Sequence, residues 1–244
     1  MRQVAEADGR LAPRSRRGMA DLARIRGDFP RALAAVPALG WKGRHHRVLA
    51  HIRFPHGDIE RAAAAFEDAR TEAEQHDAPG ERAIAQTLLA LVVAFADPLR
   101  ADDELALAHQ YLDHLDQRAT TFYAAVAALV RDAGTEGDVI NRATVLRTET
   151  TVAGLPWPTP LIETATAFHH AVRGADDDLA ATLDRLRQAI EGGDFAYYVD
   201  IATAMGGLPQ PAESATWWLE DAHTVRQRWR ALVTARQDHL RGSL

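Results

Sequence analysis

The chain has 244 residues, of which 47% are hydrophobic and 25% are charged, so it is long enough to bury a sizeable core. It has no cysteine, which excludes disulfides and thiolate metal sites. The first 57 residues hold 12 of the 28 basic residues but only four of the 34 acidic ones. This asymmetry indicates contacts with a charged partner or within the chain itself.

No segment of the sequence predicts an association with a membrane. The N-terminus has no apolar stretch typical of a secretion signal. The apolar run from Ala83 to Ala96 is interrupted by Gln86 and Thr87, and it is too short to span a bilayer. We therefore predict a cytoplasmic protein without a membrane partner.

The first elements in chain order are two copies of one pattern. The segments 14–39 and 44–69 each contain a Gly-Asp pair, at 27–28 and at 57–58. Glycine permits a sharp reversal of the chain, and aspartate suits the N-cap of the helix that follows. Each copy therefore predicts a helix, a Gly-Asp turn and a second helix, and the repetition predicts a stacked architecture.

Small residues lie where the two helices of each unit are expected to cross. Ala20 and Ala50 belong to the first helices, and Ala32 and Ala62 belong to the second. Their small side chains let antiparallel helices approach closely, and Phe66 fills the groove beside the crossing. Because one helical pair cannot bury its apolar face, the units are expected to stack.

The rest of the chain predicts further helices and no strand. The expected helices are Glu81–Ala96, Asp102–Leu115, Thr120–Ala133, Asp138–Ala153, Leu161–Arg173, Asp178–Glu191, Asp194–Met205 and Glu220–Leu240. The stretch GLPWPTP at 154–160 breaks this series. We interpret it as a connector within one domain of residues 1–244, with a subdomain boundary as the alternative.

The spacing of the two units resembles the tetratricopeptide repeat. The residues that carry the resemblance are Ala20, Gly27, Phe29, Ala32, Val36 and Leu39, and then Ala50, Gly57, Ile59, Ala62, Phe66 and Ala69. Arg16 and His46 stand where that family usually has tryptophan. The resemblance implies an all-α fold, an α-solenoid of antiparallel helical hairpins with about ten to twelve helices.

A looser resemblance covers most of the chain. The stretches RADDELALA, TFYAAVAALVRDAGT, GDFAYYVDIA and WRALVTARQDHL are similar to the helical-repeat regions of actinobacterial regulators and signal-transduction ATPases. This resemblance implies a sensor or scaffold, with an ATPase or regulator domain encoded upstream. The chain has no G-x-x-x-x-G-K-[ST] motif, so the nucleotide-binding part is not expected within it.

The tetratricopeptide resemblance also implies which residues line the concave groove. In this chain the groove positions are Arg14, Arg17, Asp21 and Arg24 in the first unit and Arg44, Arg47, His51 and Phe54 in the second. The basic ones, which we predict to bind the partner, are Arg14, Arg17, Arg24, Arg44, Arg47 and His51. Guanidinium groups suit bidentate recognition of carboxylate or phosphate. We therefore predict a non-catalytic scaffold or sensor module that binds an acidic protein or peptide. The alternative is that these arginines pair with the acidic C-terminal part of the chain.

The histidines do not predict a metal site. No two of the 11 histidines stand at i, i+4, and the pair His109 and Asp113 lacks a third ligand. His169 and His170 point in two directions around a helix, so at most one of them is expected to be buried.

Two further groups of residues are expected to be structural. The acidic runs at 102–104 and 176–178 are expected to begin helices, where carboxylates favour the helix dipole. Trp217, Trp218 and Trp229 are expected to cap the last hydrophobic layer, with an exposed aromatic platform as the alternative.

Two other function classes stay open. One is a nucleic-acid or nucleotide-associated regulatory module that uses the basic N-terminal quarter, although no recognition-helix motif accompanies it. The other is a helical enzyme with an unrecognised pocket. Since no catalytic motif occurs in the sequence, we predict no catalytic residue and no cofactor. Salt-dependent DNA binding would distinguish the nucleic-acid hypothesis from the others.

Overall fold

The computed structural model describes residues 12–135, 137–191, 193–209 and 218–242, with side chains from residue 15. In these ranges the protein is all-helical and has no strand. Its twelve α-helices are α1 (Ala12–Ile25), α2 (Phe29–Ala35), α3 (Lys42–Arg53), α4 (Ile59–Gln75), α5 (Pro79–Ala96), α6 (Pro98–Leu112), α7 (Arg118–Arg131), α8 (Val139–Val152), α9 (Thr159–Arg173), α10 (Asp176–Ala189), α11 (Tyr197–Met205) and α12 (Ala222–Gly242).

The two sequence repeats form the helix–turn–helix units that their pattern predicts. Gly27 and Gly57 adopt left-handed φ angles of 75° and 69°, which glycine reaches without steric cost. Asp28 caps α2 by accepting a hydrogen bond of 3.2 Å from the Arg31 backbone N–H. Asp58 occupies the same position before α4, but its side chain makes no capping bond. The four crossing alanines, Ala20, Ala32, Ala50 and Ala62, are fully buried.

Consecutive helices pack against each other, and the odd-numbered helices form a second series of contacts. Within this series α1 contacts α3, α5 contacts α7, α7 contacts α9, and α9 contacts α11. The helices α5, α9 and α11 are buried along most of their length. The helix α9 is buried on every side from Pro160 to Val172. The helix α5 is long and apolar enough to span a membrane by length and composition, but 67% of it is buried within the protein. A helix that is apolar all round suits the middle of a large core.

The last helix, α12, lies across the carbonyl ends of several earlier helices. Trp229 Nε1 donates to Pro55 O just after α3 (2.9 Å), and Arg230 Nη1 donates to Met205 O at the end of α11 (2.7 Å). Arg236 Nη1 donates to Val130 O at the end of α7 (3.1 Å), and Gln237 Nε2 donates to Ala171 O in α9 (3.2 Å). We call this row of helix ends the carbonyl edge. The α12 side chains supply further donors to carbonyls at helix ends, where the hydrogen bonding within a helix is incomplete.

Gly57 belongs to this contact as well as to its turn. A Cβ atom at position 57 would lie 2.9 Å from Arg228 Cβ and 3.4 Å from the Trp229 ring. Two features therefore favour glycine at this position: the positive φ angle and the close approach of α12.

The first unit also meets the C-terminal part of the chain. The Phe195 N–H donates to Ile25 O at 2.7 Å, and the rings of Phe29 and Tyr197 lie 5.2 Å apart. His56 Nδ1 lies 2.7 Å from Ile52 O, while its Nε2 accepts from the Leu219 N–H at 3.0 Å. The N-terminal units of the helical array are therefore in contact with its C-terminal part.

Two sequence-based expectations are wrong. The acidic run 102–104 does not begin a helix, because Asp97 caps α6 earlier by accepting from the Leu99 N–H at 3.1 Å. The run 176–178 does lie in the first turn of α10.

The second wrong expectation is that at most one of His169 and His170 is buried. Both are buried, with 5% and 7% of their surface exposed. The reason is that α9 has neighbours on all sides, so neither direction around the helix reaches solvent.

The tryptophans of the C-terminal part pack into the core. Trp229 is fully buried. Trp218 donates through Nε1 to Asp200 Oδ2 at 2.9 Å and stacks on Phe29 at 6.0 Å. The prediction for Trp217 concerns a residue outside the described ranges.

Candidate functional site

The basic residues predicted from the repeat lie on two neighbouring helices. Arg17 and Arg24 belong to α1, and Arg44, Arg47 and His51 belong to α3. The side chain of the remaining predicted residue, Arg14, lies outside the described part. Stacking of the two repeat units brings their first helices, α1 and α3, into contact.

Arg17 and Arg47, which are equivalent positions in the two repeats, share one carboxylate. Arg17 Nη1 lies 3.3 Å from Glu81 Oε1, and Arg47 Nη1 lies 2.5 Å from Glu81 Oε2. Glu81 lies in the first turn of α5. These two arginines therefore have an ionic partner inside the chain, and it belongs to the acidic part that follows residue 57.

Arg24 is poorly satisfied by the rest of the chain. Its side chain is only 11% exposed, and its ionic partner is Asp21, at 3.9 Å from Nε. This separation is too long for a hydrogen bond, and Nε has no hydrogen-bond partner among the described residues. Burial lowers the pKa of Arg24, but Tyr197 and Asp21 outweigh that effect and raise it overall. The guanidinium is therefore a buried cation.

Arg24 and His51 line a pocket in the interior, which we call the inner pocket. Its walls also carry six aromatic rings, those of Phe54, Phe66, Tyr123, Trp157, Phe195 and Tyr198. Aliphatic side chains from α5 and α9 complete the wall. The free volume of the pocket is only about 20 Å³. The pocket is narrow, largely aromatic and contains one permanent positive charge.

His51 contributes a neutral polar group to the inner pocket. Burial lowers its pKa well below the usual value of 6.5, and the nearby Arg24 and Arg47 lower it further. Its ring packs edge-on against Phe66 with centroids 5.4 Å apart. At neutral pH, His51 is therefore an uncharged imidazole with one donor and one acceptor nitrogen, and Arg24 is the only cation among the described residues that line the pocket.

Tyrosine hydroxyls surround Arg24. Burial raises the pKa of Tyr197 to about 12, and it also raises the pKa values of Tyr123 and Tyr198. The Tyr197 hydroxyl is buried and has no hydrogen-bond partner in the described part of the chain. These phenols are neutral hydrogen-bond donors at physiological pH.

Phe195, whose ring lines the inner pocket, has an unusual backbone conformation. Its φ angle is +64°, a left-handed conformation that costs a bulky residue about 1–3 kcal/mol. The N–H of the same residue donates to Ile25 O at 2.7 Å, which anchors the segment to the end of α1. The strained residue therefore joins the first repeat to the wall of the pocket.

Histidine and carboxylate side chains form no comparable site within the described ranges. Within the described ranges, no group of three His, Asp or Glu residues is placed to hold a metal ion. His56 and His169 are fixed as hydrogen-bond acceptors by backbone N–H groups, from Leu219 and Gly134 respectively. Their roles are therefore structural.

The repeat pattern did not reveal the aromatic half of the pocket. Tyr123, Trp157, Phe195 and Tyr198 come from α7, two connecting segments and α11. The aromatic residues of GLPWPTP and GDFAYYVDIA were visible in the sequence. Only the tertiary contacts between the two ends of the helical array bring them close to Arg24.

Comparisons with protein-family models, with curated proteins and with solved structures give no match. The resemblance to tetratricopeptide repeats therefore depends on the residues of the two N-terminal units.

Proposed function

We propose that this protein is a non-catalytic interaction module of the cytoplasm that binds an acidic segment of a partner protein along α1 and α3. In this proposal the helices form a tetratricopeptide-like α-solenoid of antiparallel hairpins, and α1 and α3 line its inner face. A regulator or ATPase encoded upstream is the class of partner that the looser resemblance implies.

The observation that carries the proposal is the charge on these two helices. Three guanidinium groups, those of Arg17, Arg24 and Arg47, act on two carboxylates, those of Asp21 and Glu81. Arg44 adds a fourth positive charge close to Arg47. Arg44 Nε is buried without a hydrogen-bond partner in the described part of the chain. An excess of positive charge with unused donors favours an acidic ligand.

Glu81 has a specific part in this proposal. Its two oxygens contact the two repeat-equivalent arginines, and its side chain is 23% exposed. A glutamate or aspartate of the partner would present the same group to the same donors. We therefore propose that Glu81 competes with the partner for Arg17 and Arg47.

The test uses a short acetylated polyglutamate peptide as the probe and polyglutamine of equal length as the neutral control. We expect Arg17→Ala combined with Arg47→Ala to weaken binding of polyglutamate by at least about tenfold, because two charge-assisted contacts are lost. Glu81→Gln should strengthen binding, because it removes the competing carboxylate. Binding to the unaltered protein should weaken as salt is added. Isothermal titration calorimetry measures all three effects.

A matched control exists on the outer helices. Arg31 and Arg61 are also repeat-equivalent, and both are exposed. Arg31→Ala combined with Arg61→Ala changes the net charge by the same amount and should leave the affinity nearly unchanged. The proposal is wrong if polyglutamate binds no better than polyglutamine, or if both double variants lose the same affinity.

A further inference from the structure

We infer that the inner pocket is a binding site for a small organic acid, with the carboxylate on Arg24 and the apolar part among the aromatic rings. This inference goes beyond the proposed function, because it needs no protein partner. It also uses Arg24 in place of Arg17 and Arg47, which contact Glu81.

The first argument is the unsatisfied charge of Arg24. A buried cation is costly unless ion pairs and hydrogen bonds satisfy it. Asp21 lies 3.9 Å away, and Nε of Arg24 has no hydrogen-bond partner among the described residues. A carboxylate can accept two parallel N–H bonds from a guanidinium. A ligand of this class would therefore satisfy Arg24 in a way that the chain does not.

The second argument is a neutral donor close to the same charge. The Tyr197 hydroxyl is buried and lacks a partner in the described part of the chain, and it is near enough to Arg24 for the guanidinium to affect its pKa. His51, on the pocket wall, is uncharged at neutral pH. Neutral donors beside one cation match the single negative charge of a monocarboxylate.

The third argument is the shape and composition of the wall. The rings of Tyr123 and Trp157 lie 4.9 Å apart, and those of Phe195 and Tyr198 lie 6.0 Å apart in a stacked arrangement. Small-molecule sites are typically concave, mostly apolar and marked by a few polar groups that orient the ligand. The small free volume of the inner pocket excludes a peptide segment, and in this inference a compact acid enters by displacing side chains of the wall.

The entrance is formed by residues outside the regular helices. Trp157 lies in the connector between α8 and α9, and Phe195 lies just before α11. Both side chains are half-buried, so each touches both the pocket and the surface. A ligand with an aromatic ring would displace these two side chains more readily than residues fixed within a helix.

Calorimetric titration of the full chain tests the inference. The probes are butyrate, benzoate and phenylacetate, each compared with its neutral amide of nearly equal shape. We expect at least one acid to bind at least about tenfold more tightly than its amide, since a charge-assisted bond distinguishes them. If none of the three acids binds more tightly than its amide, the inference is overturned.

Two variants identify the residue that is responsible. Arg24→Met preserves the length and apolar stem of the side chain and should abolish the preference for the acid, whereas Arg31→Met should not affect it. Circular dichroism and a urea titration establish that each variant is folded. Unchanged acid binding by folded Arg24→Met would refute the inference.

A third variant separates this inference from the proposed function. Arg17→Ala combined with Arg47→Ala should lose polyglutamate binding and keep the binding of the small acid. If the double variant lost the small acid as strongly as Arg24→Met does, general electrostatic attraction would explain the binding, and the inner pocket would not be the site.

Discussion

Two buried arginines illustrate how differently this protein uses the same side chain. Arg236 is 3% exposed, and its two Nη groups donate to the carbonyls of Ala94, Val130, Arg131 and Ala133. Arg24 is also buried, yet its nearest ionic partner is too distant for a hydrogen bond. Nε of both arginines lacks a hydrogen-bond partner among the described residues, so the difference lies in the Nη groups. The carbonyl edge is the better satisfied region, and the inner pocket is the poorly satisfied one.

The difference follows from what each arginine faces. The ends of α5 and α7 present carbonyls whose hydrogen bonding within the helix is incomplete, and Arg236 donates to them. Desolvation lowers the pKa of Arg236 to about 10, so this residue keeps its charge at neutral pH. Arg24 faces aromatic rings and neutral hydroxyls, and its Nε has no hydrogen-bond partner among the described residues. A satisfied region is expected to stabilise the fold, and an unsatisfied one is expected to bind a ligand.

The largest expected effect is the loss of Arg236. Arg236→Met should lower the free energy of unfolding by about 3–5 kcal/mol, because four buried carbonyls lose their donor. Urea titration followed by circular dichroism measures this change. A loss below about 1 kcal/mol would mean that water replaces the guanidinium and that the carbonyl edge is not a stabilising contact.

Gly57→Ala should have the next largest effect. The new methyl group must adopt a positive φ angle and approach Arg228 Cβ to 2.9 Å, so we expect a loss of about 2–4 kcal/mol. Gly174 has a similar φ angle of 66° but open space around it, so Gly174→Ala should cost only about 1–2 kcal/mol. Equal losses would contradict the close packing of α12 on the turn of the second repeat.

Acidic pH should destabilise the protein through its buried histidines. Burial, together with the charges of His170 and Arg173, lowers the pKa of His169 from 6.5 to about 4, and its Nδ1 accepts from the Gly134 N–H at 3.1 Å. The unfolded state therefore binds a proton more readily than the folded state. The contribution of His169 is complete above pH 6.5 and is lost as the pH falls towards 4.

The expected loss from His169 is about 1–3 kcal/mol, measured by urea titrations at pH 7, 6, 5 and 4.5. The control is His169→Gln, whose amide oxygen can accept the same hydrogen bond without taking up a proton. Its stability should depend less on pH over this range. Identical pH profiles for the two proteins would remove His169 as a cause of acid destabilisation.

The smallest expected effect is that of Arg24 on stability. Arg24→Met should leave the free energy of unfolding within about 1 kcal/mol of the original value or increase it slightly, because an apolar side chain replaces a poorly satisfied buried cation. The contrast with Arg236→Met tests the comparison directly. A loss of several kcal/mol for Arg24→Met would show that Arg24 is as structural as Arg236.

Part of the candidate site was predictable from sequence. The 30-residue repeat brings equivalent positions together, so Arg17 and Arg47 were expected on one face, and they do share a contact, through Glu81. Arg24 and His51 were expected on the same face, and both line the inner pocket. The prediction that these residues bind a partner stays a prediction.

Sequence by itself determined the helical units and their turns. Glycine at 27 and 57 allows the left-handed turns, and alanine at 20, 32, 50 and 62 allows the close crossings, because these are local requirements of backbone conformation and side-chain volume. Only the tertiary structure decided that α12 covers the carbonyl edge and that Tyr123, Trp157 and Phe195 surround Arg24. Those contacts join residues far apart in the chain, and their formation depends on the closure of the whole array, which no local pattern encodes.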